Sequence, residues 1–182
     1  MRVIIDCNYI CHMAKHSMGE LSFEELHSGV IFGFLRQMLS LINTFKTNDF
    51  IFVWDSRESK RKVLFPTYKA NRHYEKTEEE KELDAIAYKQ FDILRTEVIP
   101  KIGFVNNFMM KGYEADDVIA GIVFRNKENF VIVSSDNDLL QLLNNRVRIY
   151  SIKNKSYYTE EMMLKEYNIS PDKWAEVKAI AG

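Results

Sequence analysis

With 182 residues and 46% hydrophobic side chains, the chain has the size and apolar content to bury one core of ordinary dimensions. Twenty-five lysines and arginines against 26 acids leave a formal net charge of −1, which excludes a generally basic protein but not a local basic surface. No apolar run approaches the roughly 18 residues of a membrane span. Met1-Arg2-Val3-Ile4-Ile5-Asp6 reaches an acid before a leader's apolar stretch could form, so the chain is expected to be cytoplasmic and without membrane partners.

In chain order, Arg2 to Ile5 reads as a short β-branched strand ending in Asp6, followed by helical signals. Cys7 and Cys11 lie four apart in that helical segment and are expected to be packed thiols. His12 and His16 share the spacing but lack the Glu of a zinc-binding HExxH helix. Ser22-Phe23-Glu24-Glu25 has the form of a capping box, which predicts a helix over about 23–46 with Val30, Phe34, Leu35, Met38, Leu41, Ile42 and Phe45 on its apolar face. Gly29 and Gly33 within it are expected to permit close packing. Phe50 to Trp54 is a continuously apolar strand, hence buried on both faces, and Asp55 follows it.

From Ser56 to Arg72 there are six cations (Arg57, Lys60, Arg61, Lys62, Lys69, Arg72) against Glu58 alone, with Phe65 and Tyr68 interleaved. Thr77-Glu78-Glu79-Glu80 is a second capping box, opening a helix to about Val98 that Pro100 should end. Gly103 to Val105 reads as a strand, and Gly112-Tyr113-Glu114-Ala115-Asp116-Asp117 opens a further helix carrying Val118, Ile119, Ile122 and Val123. Phe130 to Val133 is an apolar strand followed by Ser134-Ser135-Asp136-Asn137-Asp138 and a short helix over 139–143. Val147 to Tyr150 is a strand, 153–156 a hairpin-like turn, Thr159 a helix cap, and Ser170-Pro171 the start of the last helix.

Alternating strands and helices predict an α/β fold with a mostly parallel sheet flanked by helices, in which ligands gather at the carboxyl ends of the strands. Asp6, Asp55 and Asp136 stand at or just past strand ends, Asp138 close by, and Glu114, Asp116 and Asp117 at a helix start that can border the same edge. Any one of these acids alone is an ordinary turn or cap. Together they repel one another unless a cation relieves them, and an all-oxygen set suits Mg²⁺ or Mn²⁺ rather than zinc. Two such ions about 3.5–4 Å apart could activate water against a phosphodiester. The basic, aromatic stretch beginning just after Asp55 suits phosphates and unpaired bases. No P-loop or dinucleotide fingerprint is present.

Four motifs, Trp54-Asp55, Tyr68-Lys69-Ala70-Asn71-Arg72, Gly112-Tyr113-Glu114-Ala115-Asp116-Asp117 and Ser135-Asp136-Asn137-Asp138, occur in an order that resembles the flap endonuclease / 5′-nuclease family, especially its phage and bacterial members and the 5′-nuclease domain of DNA polymerase I. The resemblance spans residues 1–182 and implies one PIN-like domain with an arch-like region at about 57–95. It implies hydrolysis of DNA bearing 5′ flaps, branches or single-stranded ends, in replication or repair. Lys69 and Arg72 would act at the scissile phosphate, with Tyr68, Arg61 and Lys62 also contacting DNA. The metal set would be Asp6, Asp55, Glu114, Asp116, Asp117, Asp136 and Asp138. The family continues with an Asp-x-x-Asp segment and a helix-hairpin-helix element that these residues lack, so a deficient second metal site, and either a truncation or a separate C-terminal half, are expected. Two other readings stay open: a PIN-type ribonuclease, and a fragment that binds DNA without cutting it.

Overall fold

Three runs of the chain carry side chains that water rejects on both faces: Val3 to Ile5, all of Phe50–Trp54 and all of Phe130–Val133 are buried. Such runs can only lie at the centre of a sheet covered on both sides. In the computed structural model, which describes residues 1–19, 21–24, 26–69 and 77–181, they do so. The strands are β1 (Arg2–Asp6), β4 (Phe50–Trp54), β5 (Asn107–Met109), β6 (Phe130–Val133), β7 (Val147–Ser151) and β8 (Ser156–Tyr158), in the order β5-β4-β1-β6-β7-β8. All neighbours pair in parallel except β7 and β8, joined by the turn expected at 153–156.

The period-two alternation splits the core. Val3, Ile5, Phe50, Phe52, Trp54, Val131 and Val133 face one layer, formed by α1 (Cys7–Met18), α2 (Gly29–Phe45) and α4 (Glu78–Ile93). Ile4, Ile51, Val53, Phe130 and Ile132 face the other, formed by α6 (Ala115–Arg125), the 3₁₀ turn Asn137–Leu142, α7 (Glu160–Tyr167) and α8 (Trp174–Ala181). Cys7 and Cys11 are free, buried thiols. From β1 the chain crosses to β4 and β5 on one side, then returns to β6 on the other. The strand order therefore reverses at β1, which opens a crevice beyond its carboxyl end.

Three expected elements moved. Ser22–Phe23 (β2) pairs with Leu26–His27 (β3) as a small hairpin instead of starting a helix, and α2 begins at Gly29. The helix start is set by its crossing with α1: a Cβ on Gly29 would overlap the Met18 carbonyl oxygen, and one on Gly33 would lie 2.7 Å from Ala14 Cβ. Next, Pro100 does not end its helix. After α4, capped by Thr77 and Glu80 as expected, a π turn at Leu94–Val98 shifts the ladder so that Ile99 N–H reaches the Leu94 carbonyl, and Pro100 sits in the opening turn of α5 (Ile99–Lys101). Finally, the strand expected at 103–105 lies at Asn107–Met109. Gly103 turns the chain with φ of 96°, and Phe104 packs on Phe50 and Phe52.

Gln90 and Ser134 are the buried polar side chains among the described residues, and each has a task. Gln90, on α4, accepts the Val30 and Ile31 amides at 3.0 and 3.3 Å, so it caps α2 from a neighbouring helix. Gln90→Leu should leave those amides without an acceptor and destabilise the protein by about 1–3 kcal/mol. Urea unfolding measures this; a midpoint unchanged from wild type would show that water replaces the cap.

Candidate functional site

The crevice beyond β1 collects side chains from segments far apart in sequence. Asp6 ends β1 and caps α1: its Oδ1 accepts the Tyr9 amide at 3.1 Å and its Oδ2 accepts the Ser134 hydroxyl at 2.7 Å. Ser134, one residue past β6, also accepts the Asp136 amide at 3.1 Å, tying the loop after β6 to the end of β1. Asp55, just past β4, accepts the Ala115 amide at 2.6 Å while its own amide is held by Asn8 Oδ1 at 3.1 Å. The same carboxylate therefore fixes the start of α6 against the sheet. Glu114 is the N-cap of α6 and forms a capping box with Asp117.

Six of the seven expected acids, Asp6, Asp55, Glu114, Asp116, Asp136 and Asp138, line one cleft of about 780 Å³, with Arg61, Tyr68, Lys69 and Lys178 also on its walls. Asp117 does not line it. Its Oδ2 accepts the Glu114 amide at 3.2 Å and its Oδ1 accepts from Arg61 Nη2 at 2.6 Å, so it shapes the helix start. Lys62 points outward from α3 (Lys60–Leu64), a helix with no buried residue. Arg72, Ala70 and Asn71 lie outside the described residues.

Crowding and burial set the charge states. Burial pushes the Asp6 carboxyl up to about 6, with Asp55 and Asp136 adding repulsion against its hydrogen bonds to Ser134 and Tyr9. Burial likewise raises Asp55 and Asp116 above the ordinary carboxylate range. Glu114 goes the other way: burial works against its charge, but Lys69, Tyr68 and Arg61 together hold it below its usual value. Its Oε1 accepts from Lys69 Nζ at 2.8 Å, and its Oε2 accepts from Arg61 Nη1 and from the Tyr68 hydroxyl, the latter at 3.1 Å. Among the described residues, no three carboxylate, imidazole or thiol groups stand close enough to enclose an ion as they are arranged. At the far wall, Asp138 Oδ1 is shut from solvent and pairs with the Lys178 ammonium at 3.1 Å.

The crevice thus holds desolvated, mutually repelling oxygens on one side and basic side chains on the other. A match to the family model for the 5′-3′ exonuclease N-terminal resolvase-like domain covers residues 1–168. The chain belongs to the 5′-3′ exonuclease family. It is similar to the 5′-3′ exonuclease of Bacillus subtilis, with 32% identity over 157 residues, or 82% of this chain and 50% of that protein. Two bacteriophage T5 structures share its fold. One is a protein co-crystallised with metal ions (TM-score 0.82, 25% identity, 99% of this chain and 66% of that one). The other is a flap endonuclease variant in a pseudo-enzyme–product complex with DNA and metal ions (TM-score 0.77, 25% identity, 99% and 65%). The chain spans about half the length of the curated relative it matches. No helix among the described residues is long and apolar enough to cross a membrane.

Sequence reasoning about this family member missed four neighbours of the acids. Ser134 carried a signal, as a hydroxyl between an apolar strand and an Asp. Asn8, Tyr9 and Lys178 carried none, since their roles arise only where α1 and α8 meet the crevice.

Proposed function

We propose that this chain is the catalytic portion of a divalent-metal-dependent 5′-nuclease acting on DNA with 5′ flaps, branches or single-stranded ends, in the cytoplasm of a bacterial or phage-infected cell. The supporting observation is the single crevice lined by Asp6, Asp55, Glu114, Asp116, Asp136 and Asp138 and flanked by Lys69 and Arg61. The donors fit a hard cation, for they are oxygens and burial raises several of them. Mg²⁺ or Mn²⁺ suits them best, two ions when the site is complete; such ions supply an activated water and neutralise phosphodiester charge. Asp117 would act through Glu114 and Arg61.

The chain's own residues have separable tasks in this reading. Asp55 orients the start of α6, and Ser134 orients Asp6. Lys69 and Arg72 hold the scissile phosphate, and Tyr68 offers a ring to an unpaired base. Residues 1–182 act as one PIN-like unit with an arch-like region at about 57–95, in which α3 and Tyr68-Lys69 lie on the acid side of the crevice and Lys62 faces outward as an outer phosphate contact.

The test offers the protein a 5′-flap DNA and a single-stranded RNA, each end-labelled, with Mg²⁺, Mn²⁺, Zn²⁺ or EDTA. The DNA should shorten from its 5′ end with Mg²⁺ or Mn²⁺ and survive EDTA. Loss of RNA with the DNA intact would favour a PIN-type ribonuclease, and cutting in EDTA would remove the metal from the mechanism.

A further inference from the structure

The segment carrying Arg61, Tyr68 and Lys69 is held in two different ways. Its start is anchored by hydrogen bonds that involve the backbone: Ser56 N–H to the Tyr113 carbonyl at 3.1 Å, Gly112 N–H to Ser56 Oγ at 3.0 Å, and Lys60 N–H to the Gly112 carbonyl at 2.9 Å. Lys60 also lies across Gly112, where a Cβ would come within 2.7 Å of its Cγ, and its ammonium stands 4.1 Å from the Tyr113 ring centroid. From Arg61 to Lys69 no side chain is buried. Val63, Leu64 and Phe65 are 81, 72 and 67% exposed. What holds it is charge: Arg61 forks between Glu114 and Asp117, with Asp116 3.8 Å away, while Tyr68 and Lys69 close on the same Glu114. Both oxygens of Glu114 are thereby engaged by the protein's own donors.

We propose that Arg61 is an internal counter-ion that stands in for a divalent cation at the start of α6, so that cation binding expels it and frees residues 61–69 while Ser56 to Lys60 stay anchored. The inference rests on the reading of this crevice as a metal site. A cation that takes Glu114 and Asp116 must displace the guanidinium or share their charge with it, and like charges at that separation repel. Once released, Arg61, Tyr68 and Lys69 are available to a phosphate and a base. Loading the ion and readying the basic segment for nucleic acid are then one equilibrium, in which each favours the other.

Both halves can be measured without nucleic acid. In the wild-type protein, saturating Mg²⁺ should speed amide hydrogen exchange at Val63, Phe65 and Tyr68 by roughly tenfold, while Gly112 is unchanged. Arg61→Gln should show the faster exchange already in EDTA. By calorimetry it should bind Mg²⁺ about fivefold more tightly, the size expected for losing one competing contact at a partly exposed group. Lys111→Gln removes the same charge one residue from Gly112 without touching an acid of α6, and should bind Mg²⁺ as wild type does. Equal tightening in Lys111→Gln would reduce the effect to general electrostatics and overturn the proposal. So would wild-type exchange that Mg²⁺ leaves unaltered, a result that needs no variant to fold. If the wild type takes up no divalent ion at all, the metal reading itself fails and this inference falls with it.

Discussion

Asp6→Asn should lower cleavage by at least roughly a hundredfold, as loss of a charged metal-site oxygen does, and should at the same time raise the thermal midpoint of the metal-free protein at pH 8. The two effects share one cause. Asp6 is buried among Asp55 and Asp136, and its carboxyl is raised from an ordinary 3.8 to about 6. Between those values the folded state binds a proton that the unfolded state has released, so stability falls as pH rises through this window and stays low above it. A shift of that size corresponds to roughly 3 kcal/mol at pH 8. Asparagine removes the charge and keeps the contacts. Its Oδ1 can still accept the Tyr9 amide, and its Nδ2 can donate to Ser134 Oγ once that hydroxyl turns. Melting curves in EDTA should therefore show the variant ahead at pH 8 and its lead shrinking as pH falls toward 4. A variant less stable than wild type at pH 8, or a lead independent of pH, would show that Asp6 is not a strained carboxylate.

What made the sheet legible was the absence of choice. A run such as Phe50-Ile51-Phe52-Val53-Trp54 has no polar face, so both sides had to be covered, and an acid right after it had to emerge at the sheet's edge. Asp6, Asp55 and Asp136 followed from that alone. Local signals failed where a tertiary contact outweighed them. The Ser22 to Glu25 pattern could have capped a helix, but the closeness of α1 and α2 at Gly29, with Gln90 as a cap from another helix, set the start instead. Pro100 could not be placed because the π turn that accommodates it has no sequence signature. At the crevice, residue type suggested which acids gather but not their pairing. That Arg61 faces Glu114 and Asp117 instead of solvent depends on the turn at Gly112, and Asp117 was drawn into the capping box because an acid three residues past Glu114 can reach its amide. Tyr68 and Lys69 were readable as a basic aromatic pair, yet their contact with the acids joins segments 45 and 46 residues apart.

Lys69→Ala should reduce the single-turnover rate by well over tenfold with only a few-fold loss in DNA affinity measured without divalent ions. Its ammonium, 2.8 Å from Glu114 Oε1, lines the crevice, where it can turn from a carboxylate to a phosphate without leaving the site. A cation that meets developing negative charge contributes mainly in the transition state, so the loss should fall on the rate more than on binding. Lys69 also has φ of 57°, a left-handed position that a non-glycine side chain adopts at some cost, and alanine meets the same restriction. The backbone is therefore not relaxed by the substitution, and the change reports on the ammonium. Lys69→Arg keeps the charge but presents a planar fork in place of a compact head, and should recover part of the rate. Removing Lys69 also takes away a cation that favours Glu114 in its charged form, so the acid limb of the pH–rate profile should move to higher pH, against a background in which burial already opposes the charge. A lowered rate with an unmoved acid limb would assign Lys69 to the phosphate alone, and an unchanged single-turnover rate would remove it from the reaction.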